Sequence, residues 1–233
     1  MIPLGYSKIA DYLDCPRKFH DKYVVPTNYD HESDKNSPAL VKGNVMHESL
    51  EHYIKAVQAG REPKKLVAGA ANAQKIVHTI LDTYPIVEAE KQLSLDSNWN
   101  EVLCNDWWKP LNPKDEVYLR AKFDVVARDG DKATLLDWKS GKIREYQESD
   151  HGQLKLSATM IFSTDDTINE ISSSYMFLEH KKTVTVKYFR EDLEKMRRPF
   201  DEICSTINTT EHFDEKPSSS CRWCKSISCP LRK

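Results

Sequence analysis

Two periodicities divide the chain into a helical first third and a strand-rich middle. In residues 38–60, Leu50, Ile54 and Val57 recur at the three- and four-residue spacing of one helix face, and Pro38 suits the first turn of a helix. A helix is therefore predicted over 38–60, with its apolar side packed against the rest of the protein. Similar reasoning predicts helices over 7–15, 63–83, 147–163 and 191–208, and a polar, turn-rich loop over 26–37.

Alternation of apolar and polar residues indicates strands in the middle of the chain. Residues 86–95 alternate so that Val87, Ala89 and Leu93 would share one face, with Glu90 on the other. In residues 117–127 the predicted apolar face comprises Val117, Leu119, Ala121, Phe123 and Val125. Asp124 would then project from the opposite face of that strand.

A hairpin and two further strands complete the predicted sheet. The turn signal at 129–130, Asp-Gly, leads into an apolar stretch over 133–138. Residues 172–179 and 183–189 follow as another pair of strands around a lysine-rich turn. Strands and helices in this order favour an α/β fold.

Composition narrows the class of protein without deciding it. The chain has 233 residues, 39% of them hydrophobic and 30% charged, with a formal net charge of −2. This length suits one domain, which we divide into a helical lobe (1–85), a sheet core (86–190) and a C-terminal helix with its tail (191–233). The sequence shows no bilayer-length apolar run and no signal-peptide pattern at its start, so we expect a protein that acts inside the cell, in the cytoplasm.

The stretch from 119 to 142 holds the most informative group of polar residues. Asp137 and Lys139 are two apart on a predicted strand and so project together, while Asp124 lies on the neighbouring strand. Carboxylates are preferred ligands of Mg²⁺ and Mn²⁺, and a lysine beside them can stabilise charge on a phosphate. Taken alone, an Asp-x-Lys pair is most often a cross-strand ion pair on a solvated strand face.

The order of motifs along nearly the whole chain resembles the RecB-type branch of the PD-(D/E)xK nucleases. Each motif is weak by itself, and their sequence and spacing provide the specificity. The matching positions are Ser7, Tyr12, Cys15-Pro16, Gly43-x3-His47, Glu90, Asp124, Asp137-Trp138-Lys139-Ser140-Gly141 and Gln153.

This resemblance implies a restriction-endonuclease-like fold, with a central mixed sheet flanked by helices, and a role for each matched residue. The implied ligands of Mg²⁺ or Mn²⁺ are His47, Asp124, Asp137 and the backbone carbonyl of Trp138. Lys139 would be the catalytic lysine, and Gln153 and Glu90 would complete the catalytic group. The chain departs from the family pattern at Ala121, where glycine is common, and at Ser157, where a tyrosine is common.

The six cysteines raise the question of a second metal centre. Cys221 and Cys224 have the two-residue separation at which both thiolates reach one metal, and Cys229 follows closely. The pattern is similar to an iron–sulfur subgroup of these nucleases, which includes AddB, CRISPR adaptation nucleases and single-strand exonucleases. That similarity implies a [4Fe–4S] cluster held by Cys15 with the three C-terminal cysteines. A four-cysteine Zn²⁺ site and free thiols in a flexible tail stay open, and Cys104 and Cys204 are expected to be buried small residues.

The resulting hypothesis is a metal-dependent deoxyribonuclease that acts as an exonuclease on single-stranded ends in recombination, repair or phage DNA metabolism. DNA is the expected partner, and because the sequence has no Walker-type loop, a helicase would have to act in trans. Two alternatives belong to other classes. One is a non-catalytic DNA-binding module of a larger nuclease complex, and the other is an interaction protein built on structural zinc.

Overall fold

The computed structural model describes residues 2–105, 109–141, 143 and 151–232. Its central feature is a five-stranded sheet in the order β1-β4-β5-β6-β7, in which only β5 and β6 run parallel. The strands are β1 (Ile86–Leu95), β2 (Cys104–Asn105), β3 (Lys109–Pro110), β4 (Leu119–Asp129), β5 (Lys132–Lys139), β6 (Glu170–Phe177) and β7 (Lys182–Phe189), with β2 and β3 forming a separate small sheet.

Helices flank this mixed sheet, as an α/β fold requires. They are α1 (Tyr6–Asp14), α2 (Pro16–Phe19), α3 (His31–Lys35), α4 (Pro38–Gln58), α5 (Gln74–Thr83), α6 (Gly152–Thr164) and α7 (Leu193–Thr209). The fold class predicted from the sequence is confirmed, whereas the three-part division of the chain stays a prediction. Among the described residues, no helix has the length and apolar character needed to cross a membrane.

Two apolar cores lie on the two faces of the sheet. On one face, α1, α6 and α7 cover residues such as Leu95, Leu119 and Leu135. On the other face, α4 and α5 cover Leu136 and Trp138. α4 presents the side chains of Met46, Leu50, Tyr53 and Ile54 to this second core. The apolar spacing that predicted the helix thus also determines which of its sides faces the sheet.

In both β1 and β4, the apolar side chains on one side of Glu90 or Asp124 pack in one core, and those that should share their face on the other side pack in the opposite core. Glu90 has a φ of 58°, a left-handed conformation rare for a residue with a side chain. Leu93 packs in the core under α1, α6 and α7, whereas Val87 packs against the core under α4. Phe123 and Val125, two apart, also belong to opposite cores. The single apolar face predicted for each strand is therefore wrong, because the kink at Glu90 interrupts the two-residue alternation.

Three other predicted elements differ from the structure. The helix predicted over 63–83 begins only at Gln74, after a 3-10 turn, and residue 69, which precedes that turn, is a glycine whose missing side chain makes room for Met46 of α4. The loop predicted over 26–37 contains α3, whose first turn is capped by the side chain of Asp30. The helix predicted over 147–163 is described from residue 152, and residues 147–150 lie outside the described residues.

The two ends of the chain are joined by a buried carboxylate. Asp21 is fully buried, and Arg17 bonds to it at 3.0 Å. From the C-terminal tail, the hydroxyls of Ser226 and Ser228 donate hydrogen bonds to the same carboxylate. The tail also forms an antiparallel bridge between Ser226 and Tyr29. Polar contacts made by the chain itself therefore hold the tail against the N-terminal helices.

We predict that Asp21→Ala lowers the free energy of unfolding by about 1–3 kcal/mol, because the buried hydroxyl of Ser226 and the guanidinium of Arg17 lose their shared acceptor. Burial alone would raise the pKa of Asp21, but hydrogen bonds from Ser226, Arg17 and His20 outweigh it and lower the pKa. The stabilisation is therefore fully present above pH about 4 and is lost as the pH falls through the lowered pKa. Urea unfolding at a series of pH values measures both effects.

The matched control is Glu202→Ala, which removes an exposed partner of Arg198 on α7. An exposed pair of this kind contributes about 0–1 kcal/mol. Equal losses for the two variants would contradict the anchoring role of Asp21.

Candidate active site

The site forms where β4 and β5 separate. Their pairing runs from the hairpin turn as far as Val125 and Leu136 and then stops. Beyond this point, the backbone N–H of Trp138 donates a hydrogen bond to Oδ2 of Asp124 at 2.6 Å. A carboxylate thus takes the place of a backbone acceptor, and the sheet opens into a fork with Asp124 at its base.

Three potential metal ligands converge at this fork. His47, Glu90 and Asp124 each offer one ligand atom, and these atoms all lie within 4.8 Å of one another. His47 comes from α4, and its Nδ1 lies 2.9 Å from Oδ1 of Asp124. The glycine at 43, one turn earlier, lets α4 approach β5, since a Cβ there would lie 3.0 Å from Oγ of Ser140.

The electrostatics of the fork favour an added positive charge. Burial raises the pKa of Asp124, and the neighbouring charge of Asp137 raises it further, against the hydrogen bond from His47. Burial would lower the pKa of His47, but its hydrogen bond to Asp124 and the nearby carboxylates produce a net rise. A divalent cation would relieve both effects, because it neutralises the carboxylates that crowd the site.

A second group of residues stands beside the ligand atoms. Nζ of Lys139 lies 2.7 Å from Oδ2 of Asp137 and donates a hydrogen bond to Oε1 of Gln153 at 2.8 Å. The amide of Gln153 in turn donates to Oδ1 of Asp137 at 2.5 Å. The ring of Tyr175, on the neighbouring strand β6, lies 4.8 Å from the same ammonium.

One oxygen of Asp137 pairs with the ammonium of Lys139. This oxygen, Oδ2, is buried, lies 2.7 Å from Nζ of Lys139 and accepts no hydrogen bond of suitable geometry among the described residues. It therefore keeps lone pairs with which it could also bind a cation. Together with the hard oxygen and imidazole donors at the fork, it fits a site for Mg²⁺ or Mn²⁺.

The predicted acidic and lysine residues therefore lie together, in two adjoining sets. One set joins His47, Glu90 and Asp124, and the other joins Asp137, Lys139 and Gln153. The side chain of Trp138 is buried in the core. Tyr175 was not identified from the sequence, because an aromatic residue in a strand signals only a buried position.

The cysteines predicted to share a second centre line one cavity of about 580 Å³. Its walls include Cys15 from the N-terminal region and Cys221, Cys224 and Cys229 from the tail. Backbone N–H groups point at two of the sulfurs, from Lys216 to Cys15 and from Ser218 to Cys221, each at 3.4 Å.

The thiols of this cavity influence one another. Burial raises the pKa of Cys224, and the neighbouring Cys229 and Cys15 raise it as well. Among the described residues, no three cysteine sulfurs lie within 4.8 Å of one another. Of the remaining two cysteines, Cys204 is buried as predicted, but Cys104 is partly exposed because it lies in the short strand β2.

Comparisons with known proteins identify the family. None of the curated proteins compared matches the chain significantly. Among solved structures, 32 chains are significantly similar. One of them is titled "Crystal structure of SSO0001" and has a TM-score of 0.48 and 10% sequence identity to this chain. The match covers 100% of this chain and 88% of the other. The family model of the PD-(D/E)XK nuclease superfamily matches residues 3–229. Since that match spans nearly the whole sequence, the chain belongs to the PD-(D/E)XK nuclease superfamily.

Proposed function

We propose that this protein is a metal-dependent deoxyribonuclease that degrades DNA from single-stranded ends. The observation that carries the proposal is the meeting of three potential metal ligands with the Asp137–Lys139 pair at one fork of the sheet. Family membership supports cleavage of DNA, and the preference for single-stranded ends rests on the resemblance to single-strand exonucleases.

The metal would be Mg²⁺ or Mn²⁺, held by Asp124, His47 and Asp137, with the carbonyl of Trp138 and the nearby Glu90 as further candidates. When bound, such an ion polarises the phosphate and lowers the pKa of a coordinated water. Asp124 is held in place by the N–H of Trp138, so its carboxylate is oriented before any ion arrives. Oδ2 of Asp137 accepts no hydrogen bond among the described residues and could bind the same ion beside Lys139.

Lys139 would stabilise the negative charge that develops on the phosphate during attack. Two groups fix its ammonium, the carboxylate of Asp137 and the amide oxygen of Gln153. The aromatic ring of Tyr175 provides a third contact from below. This chain has Ser157 where the family often has a tyrosine, so we infer that Tyr175 takes over part of the positioning of Lys139.

We predict that Tyr175→Leu lowers kcat about 2- to 30-fold with little change in KM, the effect of losing a cation–π contact of about 0.5–2 kcal/mol. Tyr175→Phe should retain most of the rate, since the ring face is kept. Phe177→Leu is the control for lost packing, because that ring lies 6.2 Å from Tyr175 in a small buried cluster that the two rings form with Leu154. Steady-state kinetics and melting temperatures compare the three variants, and equal rates for Tyr175→Leu and Phe177→Leu would refute the positioning role.

We further predict that the wild type, supplied with Mg²⁺ or Mn²⁺, degrades linear single-stranded DNA and leaves circular single strands intact. Asp124→Asn, Asp137→Asn and Lys139→Met should each lower the rate about 100-fold or more, since each removes a charge that acts in the transition state. Asp124→Asn keeps a side-chain oxygen to accept the hydrogen bond from Trp138, so the fold of the fork is preserved. End-labelled substrates on a gel provide the measurement.

The control is Lys132→Met, at the opposite end of β5, where the lysine side chain is 65% exposed. It should cleave like the wild type. Degradation of circular strands would disprove the exonuclease proposal while leaving a nuclease, and a wild type that binds DNA without cutting it would favour the non-catalytic module.

For the cysteine cavity, we propose a [4Fe–4S] cluster held by Cys15, Cys221, Cys224 and Cys229. Four thiolates around one Zn²⁺ at 2.3 Å would place the sulfurs about 3.8 Å apart. No three of these sulfurs lie within 4.8 Å of one another among the described residues, and the cavity of about 580 Å³ leaves room for a bulkier group. Such a cluster would close a loop of almost the entire chain and so restrict the unfolded state.

We predict that protein purified without oxygen is brown, contains about four iron atoms per chain and loses its colour and thermal stability in Cys221→Ser. Cys204→Ser is the matched control, because burial raises the pKa of that thiol to about 12 and it lies outside the cavity. Metal analysis and visible absorbance are measured for each variant. A colourless wild type with one zinc per chain would replace the iron–sulfur proposal with the zinc alternative.

A further inference from the structure

The most exposed large apolar side chain on the C-terminal tail is an indole in a firmly held segment. Trp223 is 72% exposed, although its neighbours Cys221 and Cys224 line the cysteine cavity. Three residues further on, Ser226 is buried against Asp21. The tail therefore fixes the backbone around Trp223 while leaving its ring in water, an arrangement typical of aromatic residues that contact a partner.

A positive charge lies beside this ring. The guanidinium of Arg222 lies 5.3 Å from the ring centre of Trp223. Arg222, Lys225 and Arg232 take part in no ion pair within the part of the chain that the structure describes, and residues 216–232 contain neither Asp nor Glu. A flat aromatic face beside an uncompensated cation complements a nucleic-acid strand, whose bases stack and whose phosphates are negative.

The helix α4 connects the cavity beside Trp223 to the catalytic fork. Ser37, the residue before α4, lines the same cavity as Trp223. His47 follows nine residues after Pro38, which corresponds to about 14 Å along a helix. Leu40, seven residues before His47, lies on the same helix face and is 43% exposed. A strand bound at the tail thus has a short, open route along α4 to the site.

We propose that Trp223, with Arg222, Lys225 and Arg232, forms a binding site for single-stranded DNA separate from the candidate Mg²⁺ or Mn²⁺ ligands at the fork. One unpaired base stacks on the indole, and the cations contact the adjacent phosphates. This site holds the strand while its end lies at the fork. The inference rests on the proposed function in one respect, the choice of DNA as the nucleic acid.

The test measures the affinity of the whole protein for fluorescent oligothymidylate, with Ca²⁺ in place of Mg²⁺ or Mn²⁺ so that the strand is not consumed. Trp223→Ala should weaken binding about 5- to 150-fold, the range that stacking of one base contributes. Arg222→Ala should reduce the slope of log affinity against log salt by about 0.7, the value for one phosphate contact on a single strand. Ile227→Ala is the matched control, because Ile227 is 56% exposed on the same tail but has no aromatic face, and its affinity should equal that of the wild type.

A second variant guards against loss of the fold. Trp223→Phe keeps an aromatic ring, so it should bind with intermediate affinity, while the fluorescence quenching that oligothymidylate causes in the wild type should largely disappear. Unchanged quenching in Trp223→Phe would overturn the proposal. So would an equal loss of affinity for single-stranded and duplex DNA in Trp223→Ala, since a paired base cannot stack on the indole.

Cleavage is measured separately with Mg²⁺ or Mn²⁺, which distinguishes this inference from the proposed nuclease. If the wild type cuts DNA and Trp223→Ala binds it normally, the tail site is wrong and the nuclease stands. If affinity depends on Trp223 but no DNA is cut, the tail site stands without the nuclease. Normal DNA affinity with a change from dimer to monomer in Trp223→Ala would identify a protein contact and reject the DNA site.

Discussion

The backbone N–H of Trp138 lies just beyond the last paired residues of β4 and β5, and a buried N–H needs an acceptor. Asp124 provides it, at 2.6 Å, and this one hydrogen bond decides much of what surrounds it. It allows the two strands to separate without an unsatisfied polar group. It also fixes the carboxylate at the base of the fork. The same side chain therefore satisfies the backbone N–H and offers a potential metal ligand. Since a side chain replaces a backbone acceptor, the fork is open enough for His47 to approach from α4.

The left-handed backbone of Glu90 is the second unusual feature of the fork. A residue with a side chain in this region costs on the order of 1–3 kcal/mol, and such strain is concentrated at functional sites. Here it coincides with the point where β1 and β4 change faces, directly opposite Asp124. The ion pair between Glu90 and Lys122 offsets part of the cost. The kink lies at the residue whose carboxylate is the third ligand atom of the fork, close to those of His47 and Asp124.

Local periodicity predicted those parts of the fold that depend on neighbouring residues. The common face of Asp137 and Lys139, the hairpin turn and the apolar face of α4 all follow from spacing along one element. The conformation of Glu90 and the core to which Val125 belongs depend on the opposite strand, so alternation alone gave the wrong answer. Tyr175 could not be connected to Lys139 from spacing, because β5 and β6 are separated by a helix. The meeting of Cys15 with the tail came from a family resemblance, since no periodicity relates residues at opposite ends of a chain.

The two candidate metal centres differ in donor chemistry and lie in different parts of the fold. Thiolates suit a soft centre, while carboxylates and one imidazole suit a hard cation, so ligand type alone would keep the metals apart. The core contacts of Met46, Leu50 and Ile54 hold α4 and with it the position of His47 at the fork. The cysteine cavity depends on other contacts, since Ser226, which lines it, donates a hydrogen bond to the buried carboxylate of Asp21. The fork is thus positioned by packing in the core, and the cavity by polar contacts between the two ends of the chain.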